Sequence, residues 1–100
     1  MDREELIELL KANKKELEKF GVQKIGIFGS FSREEADKSS DIDIVVEFKK
    51  GEGTFRNFGG LIEYLENLFN RPIDILTPTG IETIRIREIK ENIKREVIYV

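Results

Sequence analysis

Histidine, cysteine and tryptophan are absent from this chain of 100 residues, and proline occurs only twice. Without cysteine there is no disulfide and no thiolate zinc site, which is typical of a cytoplasmic protein. Without histidine, proton transfer near neutral pH must use a carboxylate, a lysine, a tyrosine or a metal-bound group. The missing residue types therefore narrow the chemistry available to a catalytic site.

Long apolar runs and clusters of basic residues are missing as well. No stretch approaches the roughly 18 residues that a membrane span needs, and the first five residues, Met-Asp-Arg-Glu-Glu, do not resemble a secretory signal. The net charge is -3, and Lys and Arg form no block. We therefore expect no membrane association and no direct binding of nucleic acid, whereas a nucleotide could bind where a metal ion offsets acidic residues.

The pattern of apolar residues alternates between helical and strand periods. Asp2 is predicted to cap a first helix that ends at Gly21. Strands are predicted over 22–28, 41–48 and 72–77, with an edge strand over 97–100. The first two strands are connected by a predicted turn over 29–32 and a short helix over 33–37. Two longer helices are predicted, one with an apolar stripe from Phe55 to Phe69 and a closing one near Ile86, Ile89 and Ile93. This order predicts one α/β (α+β) domain over residues 1–100, with helices packed on a small mixed β-sheet.

The segment Asp41-Ile42-Asp43-Ile44 contains an unusual pair of acids. Alternate residues of a strand share a face, so Asp41 and Asp43 would project together, with α-carbons about 6.6 Å apart. Aspartate is disfavoured in strands, and two carboxylates on one face repel each other unless a cation lies between them. The pair is therefore a candidate Mg²⁺ site, although a capping Asp41 and a solvated Asp43 would be the structural alternative.

Two further segments have features of a nucleotide site. Gly29-Ser30 follows a strand, and glycine lets the backbone approach a ligand closely while N–H groups and the Ser30 hydroxyl donate to phosphate oxygens. Asp74 places another acid inside an apolar strand, Pro72-Ile-Asp-Ile-Leu-Thr77. Each feature alone is more often a simple turn or a surface residue. If the two acidic strands are neighbours, however, three carboxylates lie in one patch.

The spacing of these segments resembles the DNA polymerase β-like nucleotidyltransferase superfamily. Gly29-Ser30, ten residues, and then Asp41-Ile-Asp43 are similar to its signature, and the surrounding sequence resembles its minimal stand-alone members over nearly the whole chain. The resemblance implies the polymerase β-like nucleotidyltransferase fold. One departure is visible, since many members have Gly after the arginine that matches Arg33, whereas this chain has Glu34.

The resemblance also implies roles for individual residues. Gly29, Ser30 and Arg33 would bind the nucleotide phosphates. The catalytic acids Asp41, Asp43 and Asp74 would hold Mg²⁺, with two ions expected, and Asp74 would complete the triad beside the acceptor hydroxyl.

The activity implied is transfer of a nucleoside monophosphate, AMP from ATP, to a hydroxyl. Minimal members often accompany a HEPN-domain toxin and transfer AMP to one of its tyrosines, so the resemblance implies an antitoxin that forms a hetero-oligomer with such a toxin. Two alternatives stay open at this point. The domain could neutralise a partner by contact alone, or it could transfer the nucleotide to a small-molecule hydroxyl.

Overall fold

The structure, a computed structural model, describes all residues 1–100 and contains a four-stranded sheet with helices on both faces. In chain order the elements are α1 (Arg3–Ala12), α2 (Lys14–Glu18), β1 (Val22–Phe28), α3 (Gly29–Ser32), β2 (Ile42–Phe48), α4 (Phe55–Phe69), β3 (Ile73–Leu76), α5 (Pro78–Glu82), α6 (Arg87–Glu96) and β4 (Ile98–Tyr99). The strand order is β3-β2-β1-β4. The β2–β3 pair is parallel and the other pairs are antiparallel, so the sheet is mixed, as predicted.

The two faces of the sheet have separate apolar clusters because successive strand residues point to opposite sides. In β2, Ile42, Ile44 and Val46 belong to the larger cluster, together with residues of α1, α2 and α4. Val45 belongs to the smaller cluster, with Ile81 of α5. By the same alternation Asp43 lies on the face of Val45, which we call the α5–α6 face.

The N-terminal helical segment begins as predicted but is divided in two. The Glu5 backbone N–H donates to Asp2 Oδ1 at 2.9 Å, the expected cap. The helix breaks at Asn13, whose side-chain amide donates to the Leu9 carbonyl at 2.8 Å and so competes with the helical backbone pattern. Helix α2 ends at Glu18, and Gly21, at φ +79°, then leads the chain into β1.

Two boundaries after strands differ from the prediction. The predicted turn over 29–32 followed by a helix over 33–37 is wrong, because α3 begins at once at Gly29 and the chain turns away at Glu34, with φ +61°. A side chain in this left-handed region cannot continue a right-handed helix. After the strand predicted over 72–77, a further helix, α5, begins at Pro78, whose fixed φ suits the first position of a helix.

The stripe predicted on α4 is buried only in its later turns. Leu61, Leu65 and Phe69 recur at helical spacing and are buried against the sheet. Full burial of a leucine contributes about 1.5–3 kcal/mol, so these residues anchor the helix. Phe55, the first residue of the predicted stripe, begins the helix and is 99% exposed, so it lies outside the core.

The closing helix and the edge strand are both present. Ile98 and Tyr99 form β4, the predicted edge strand, which pairs with β1. Glu82 of α5 forms ion pairs with Lys90 and Lys94 of α6 and so ties the two helices together. None of the helices is both long and apolar enough to cross a membrane.

The left-handed conformation of Glu34 predicts an order of stability for two variants. Glu34→Gly and Glu34→Ala both lose the ion pair from Arg3, whose Nη2 lies 2.8 Å from Glu34 Oε1, but only alanine keeps a Cβ at this φ. We expect the glycine variant to have the higher free energy of unfolding by about 1 kcal/mol, measured by urea denaturation. An alanine variant of equal or greater stability would contradict the conformation described here.

Candidate active site

Two acidic residues are neighbours on the α5–α6 face. Asp43 of β2 and Asp74 of β3 are direct partners across the parallel strands. Strands lie about 4.8 Å apart, and partners in register point to the same face, so the two carboxylates are adjacent. This arrangement fulfils the structural condition of the sequence hypothesis, namely that the two acidic strands are neighbours.

Asp41 lies just outside the sheet, not at the predicted strand start. It is exposed, and β2 begins at Ile42. The loop before it is braced by Arg71, whose Nη1 donates to the carbonyls of Asp37 at 2.9 Å and Ser40 at 3.0 Å. The backbone before Asp41 is therefore held in place near Asp43. The Asp41 side chain, which lies outside the sheet, can rotate more freely than that of a strand residue.

The electrostatics of the patch converge on Asp43. Burial, followed by repulsion from Asp74 and Asp41, raises the pKa of the Asp43 carboxyl to about 6, and the positive charge of Arg33 opposes this rise. An acid held this far above its ordinary value near 3.9 has too little positive charge around its ionised form. The site therefore favours a bound cation or a proton at Asp43.

Gly29 lies against this carboxylate at the end of β1. Phe28 pairs with Asp43, so the next residue enters the patch. Gly29 has φ +70°, and a Cβ added to it would lie 2.1 Å from Asp43 Oδ2. Only glycine satisfies both the left-handed φ and the close approach.

Ser30 lies within the short helix α3, and Arg33 caps its carboxyl end. Ser30 is half-buried. The Arg33 guanidinium donates from Nη1 to Glu96 Oε1 at 3.0 Å and from Nε to Glu35 Oε1 at 3.2 Å. The hydrogen bond to Glu96 and the nearby negative charges raise the pKa of Arg33 above its ordinary value, so it stays cationic.

Glu96 is a site neighbour that sequence reasoning missed. Its Oε2 accepts a hydrogen bond from the Gly29 backbone N–H at 3.3 Å, in addition to the bond from Arg33. One signal was available in the sequence. Glu96 ends α6 beside Lys94 and Arg95, and an acidic residue is unfavourable at the carboxyl end of a helix dipole.

The acidic residues of the patch offer the type of ligand atom that a divalent cation binds. Carboxylate oxygens are the ligands that Mg²⁺ prefers, and Asp43 lacks compensating charge. With the side chains as they stand, no three acidic residues converge closely enough to hold an ion. Asp41, Asp43 and Asp74 would therefore hold Mg²⁺ only after side-chain rotation, which the exposure of Asp41 and Asp74 permits.

Asp43→Asn is expected to stabilise the protein above pH 6 when divalent cations are absent. The pKa of Asp43 is about 6 in the folded state and about 3.9 in the unfolded state. Between these two pH values the folded state binds more protons than the unfolded state, so the protein loses stability as the pH rises from about 4 to about 6. The variant avoids this loss. Its free energy of unfolding should exceed that of the unaltered protein by about 1 kcal/mol at pH 7.5, after allowance for solvent screening, with no difference below pH 4.

Asp37→Asn is the control with the opposite sign. Hydrogen bonds from Ser39 lower the pKa of Asp37, so its ionised form stabilises the fold at pH 7.5. Urea denaturation at both pH values compares the two variants. A loss of stability at pH 7.5 in Asp43→Asn would mean that Asp43 is not electrostatically strained.

Comparison of the sequence with known proteins identifies the family of the chain. Residues 6–100 match the family described as nucleotidyltransferase domain. The protein adenylyltransferase MntA of Thermococcus cleftensis is 41% identical over 98 residues, which cover 97% of this chain and 94% of that protein. A candidate protein adenylyltransferase of Methanocaldococcus jannaschii is 38% identical over 98 residues, covering 96% and 95% of the two chains.

Solved structures show the same fold. A candidate minimal nucleotidyltransferase superposes with a TM-score of 0.75 at 31% identity, covering 98% of this chain and 95% of that one. A toxin–antitoxin structure with AMP-PNP has a TM-score of 0.62 at 19% identity, covering 99% and 72%, and shows likeness of fold. The chain therefore belongs to the nucleotidyltransferase domain family, and it is a nucleotidyltransferase.

Proposed function

We propose that this chain is an antitoxin that transfers AMP from ATP, with Mg²⁺, to a tyrosine hydroxyl of a partner HEPN-domain toxin. The observation that supports a catalytic role most strongly is the pairing of Asp43 with Asp74 beside Gly29. We also propose that residues 1–100 form one domain that acts in the cytoplasm.

The comparisons support the nucleotide and the partner. Relatives at 41% and 38% identity are named as protein adenylyltransferases, one of them as a candidate. One structure of similar fold is a toxin–antitoxin with AMP-PNP, and another is a toxin–antitoxin of MntA with HpeT. Because the 41% relative is itself an MntA, a toxin is the partner that we propose for this chain.

The phosphates of ATP are proposed to bind along α3. The Gly29 N–H, the Ser30 hydroxyl and the Arg33 guanidinium supply neutral and cationic donors to phosphate oxygens. Gly29 adjoins Asp43, so a triphosphate held there places its phosphorus atoms beside the carboxylates. Positioning of this kind provides much of the catalysis in phosphoryl transfer.

In the proposed reaction the acceptor oxygen attacks the α-phosphorus of ATP. A new O–P bond forms, the bond from the α-phosphorus to the bridging oxygen breaks, and pyrophosphate leaves. The Asp74 carboxylate accepts the proton of the acceptor hydroxyl and later releases it to water. Mg²⁺ held by Asp41, Asp43 and Asp74 would stabilise the negative charge on the phosphates and make the hydroxyl more acidic.

Asp43→Asn is expected to lower AMP transfer by at least about a hundredfold, since even outer partners of a metal site change activity by about 10- to 100-fold. The assay incubates the chain with ATP, Mg²⁺ and the purified HEPN-domain partner and records the intact mass of the partner. Glu47→Gln, at an exposed position of the same strand, should transfer AMP at the unaltered rate. Transfer by Asp43→Asn at that rate would refute the site assignment.

The same assay separates the two alternatives. A tight complex with no gain in mass, for both the unaltered chain and Asp43→Asn, would indicate a contact antitoxin. Consumption of ATP only in the presence of a small hydroxyl compound, with the partner unmodified, would indicate transfer to a small molecule. Addition of one AMP to a tyrosine of the partner supports the proposed function.

A further inference from the structure

We propose that the Glu96 carboxylate occupies the place of a phosphate group in the nucleotide-free enzyme, and that the triphosphate of the incoming nucleotide must displace it. The inference rests on the proposed function, because it assigns Glu96 a role at the nucleotide site formed by Gly29 and Arg33. It makes this carboxylate a built-in competitor that sets the affinity for nucleotide.

The contacts of Glu96 match those expected of a bound phosphate. One oxygen accepts from the Gly29 backbone N–H at 3.3 Å, and the other accepts from Arg33 Nη1 at 3.0 Å. Both donors belong to the group proposed to bind the triphosphate. A carboxylate and a phosphate both present charged oxygens that accept from N–H donors, so a phosphate can take the place of the carboxylate between these two donors.

The backbone of Glu96 is fixed independently of its side chain. The Ser32 hydroxyl, which is buried, donates to the Glu96 carbonyl. On the C-terminal side, Val97 donates to the Ile93 carbonyl at 3.1 Å and Ile98 pairs with Ile27. The carboxylate can therefore leave by side-chain rotation while α6 keeps its place on the sheet.

The surrounding charges make the carboxylate easy to displace. Glu96 is the last residue of a helix, where the helix dipole disfavours an acid. The acidic patch is also near, since the charge of Arg33, the partner of Glu96, acts on Asp43. The Glu96 side chain is also 21% exposed, so it has a path to water. Its contact with Arg33 is a partly solvated ion pair, which a multiply charged ligand can exchange.

A purely structural role makes the opposite prediction. If Glu96 serves only to hold Arg33 in position, its removal lets Arg33 move and weakens the binding of nucleotide. If Glu96 competes with phosphate, its removal strengthens binding. The direction of the change in affinity therefore decides between the two roles.

The test measures dissociation constants by calorimetry for AMP-PNP with Mg²⁺, for inorganic tripolyphosphate and for adenosine. Glu96→Gln keeps the shape of the side chain and removes its charge, and it should bind AMP-PNP and tripolyphosphate about fivefold more tightly, as expected for loss of a competing surface ion pair. Glu96→Ala, which removes both oxygens, should tighten binding at least as much. Affinity for adenosine should not change.

Glu91→Gln is the matched control, since it makes the same change of charge at an exposed position of the same helix; its affinities should equal those of the unaltered chain. Equal or weaker binding of AMP-PNP by both Glu96 variants would overturn the inference and leave the proposed function standing. If neither the unaltered chain nor any variant binds AMP-PNP, the proposed function fails and the inference fails with it.

Discussion

The contact between Asp43 and Asp74 across two parallel strands is the constraint around which the site is arranged. Burial of Asp43, followed by repulsion from the acidic residues beside it, raises the pKa of Asp43 to about 6. Ionised carboxylates so placed destabilise the fold unless positive charge arrives. The destabilising pair lies beside Gly29, which has no side chain to obstruct Asp43 and therefore contacts the same carboxylate.

The C-terminal part of the chain completes the surroundings of this patch. Helix α6 has no fully buried residue, although Ile93 packs against the smaller apolar cluster. Polar contacts bind it to α5 through Glu82 and to α3 through Glu96. These polar contacts place a carboxylate against the same Gly29 and Arg33 that are proposed to bind phosphate. The arrangement thus links the closing helix of the fold to the proposed nucleotide site, where Gly29 and Arg33 already bind a carboxylate.

Much of this architecture could be predicted from the sequence because it depends on local patterns. The limits of β1 follow from glycines at both its ends. The hypothesis of a shared acidic patch required β2 and β3 to be neighbours, and in the structure they pair. Two other features are harder to predict from the sequence. These are the helix break at Asn13, whose side chain competes with the backbone, and the left-handed turn at Glu34. The contact of Glu96 with Gly29 joins residues 67 positions apart, and no periodicity in the sequence predicts such a contact.

Asp43 lacks compensating charge, and we propose that a divalent cation supplies it. A direct test follows the Asp43 carboxyl carbon by NMR during a pH titration, with and without Mg²⁺. We expect this carboxyl to titrate near pH 6 without the ion and at a clearly lower pH when Mg²⁺ is present, because a bound cation favours the ionised form. Titration near the ordinary value of about 3.9 without the ion, or a midpoint that Mg²⁺ leaves unchanged, would contradict the account.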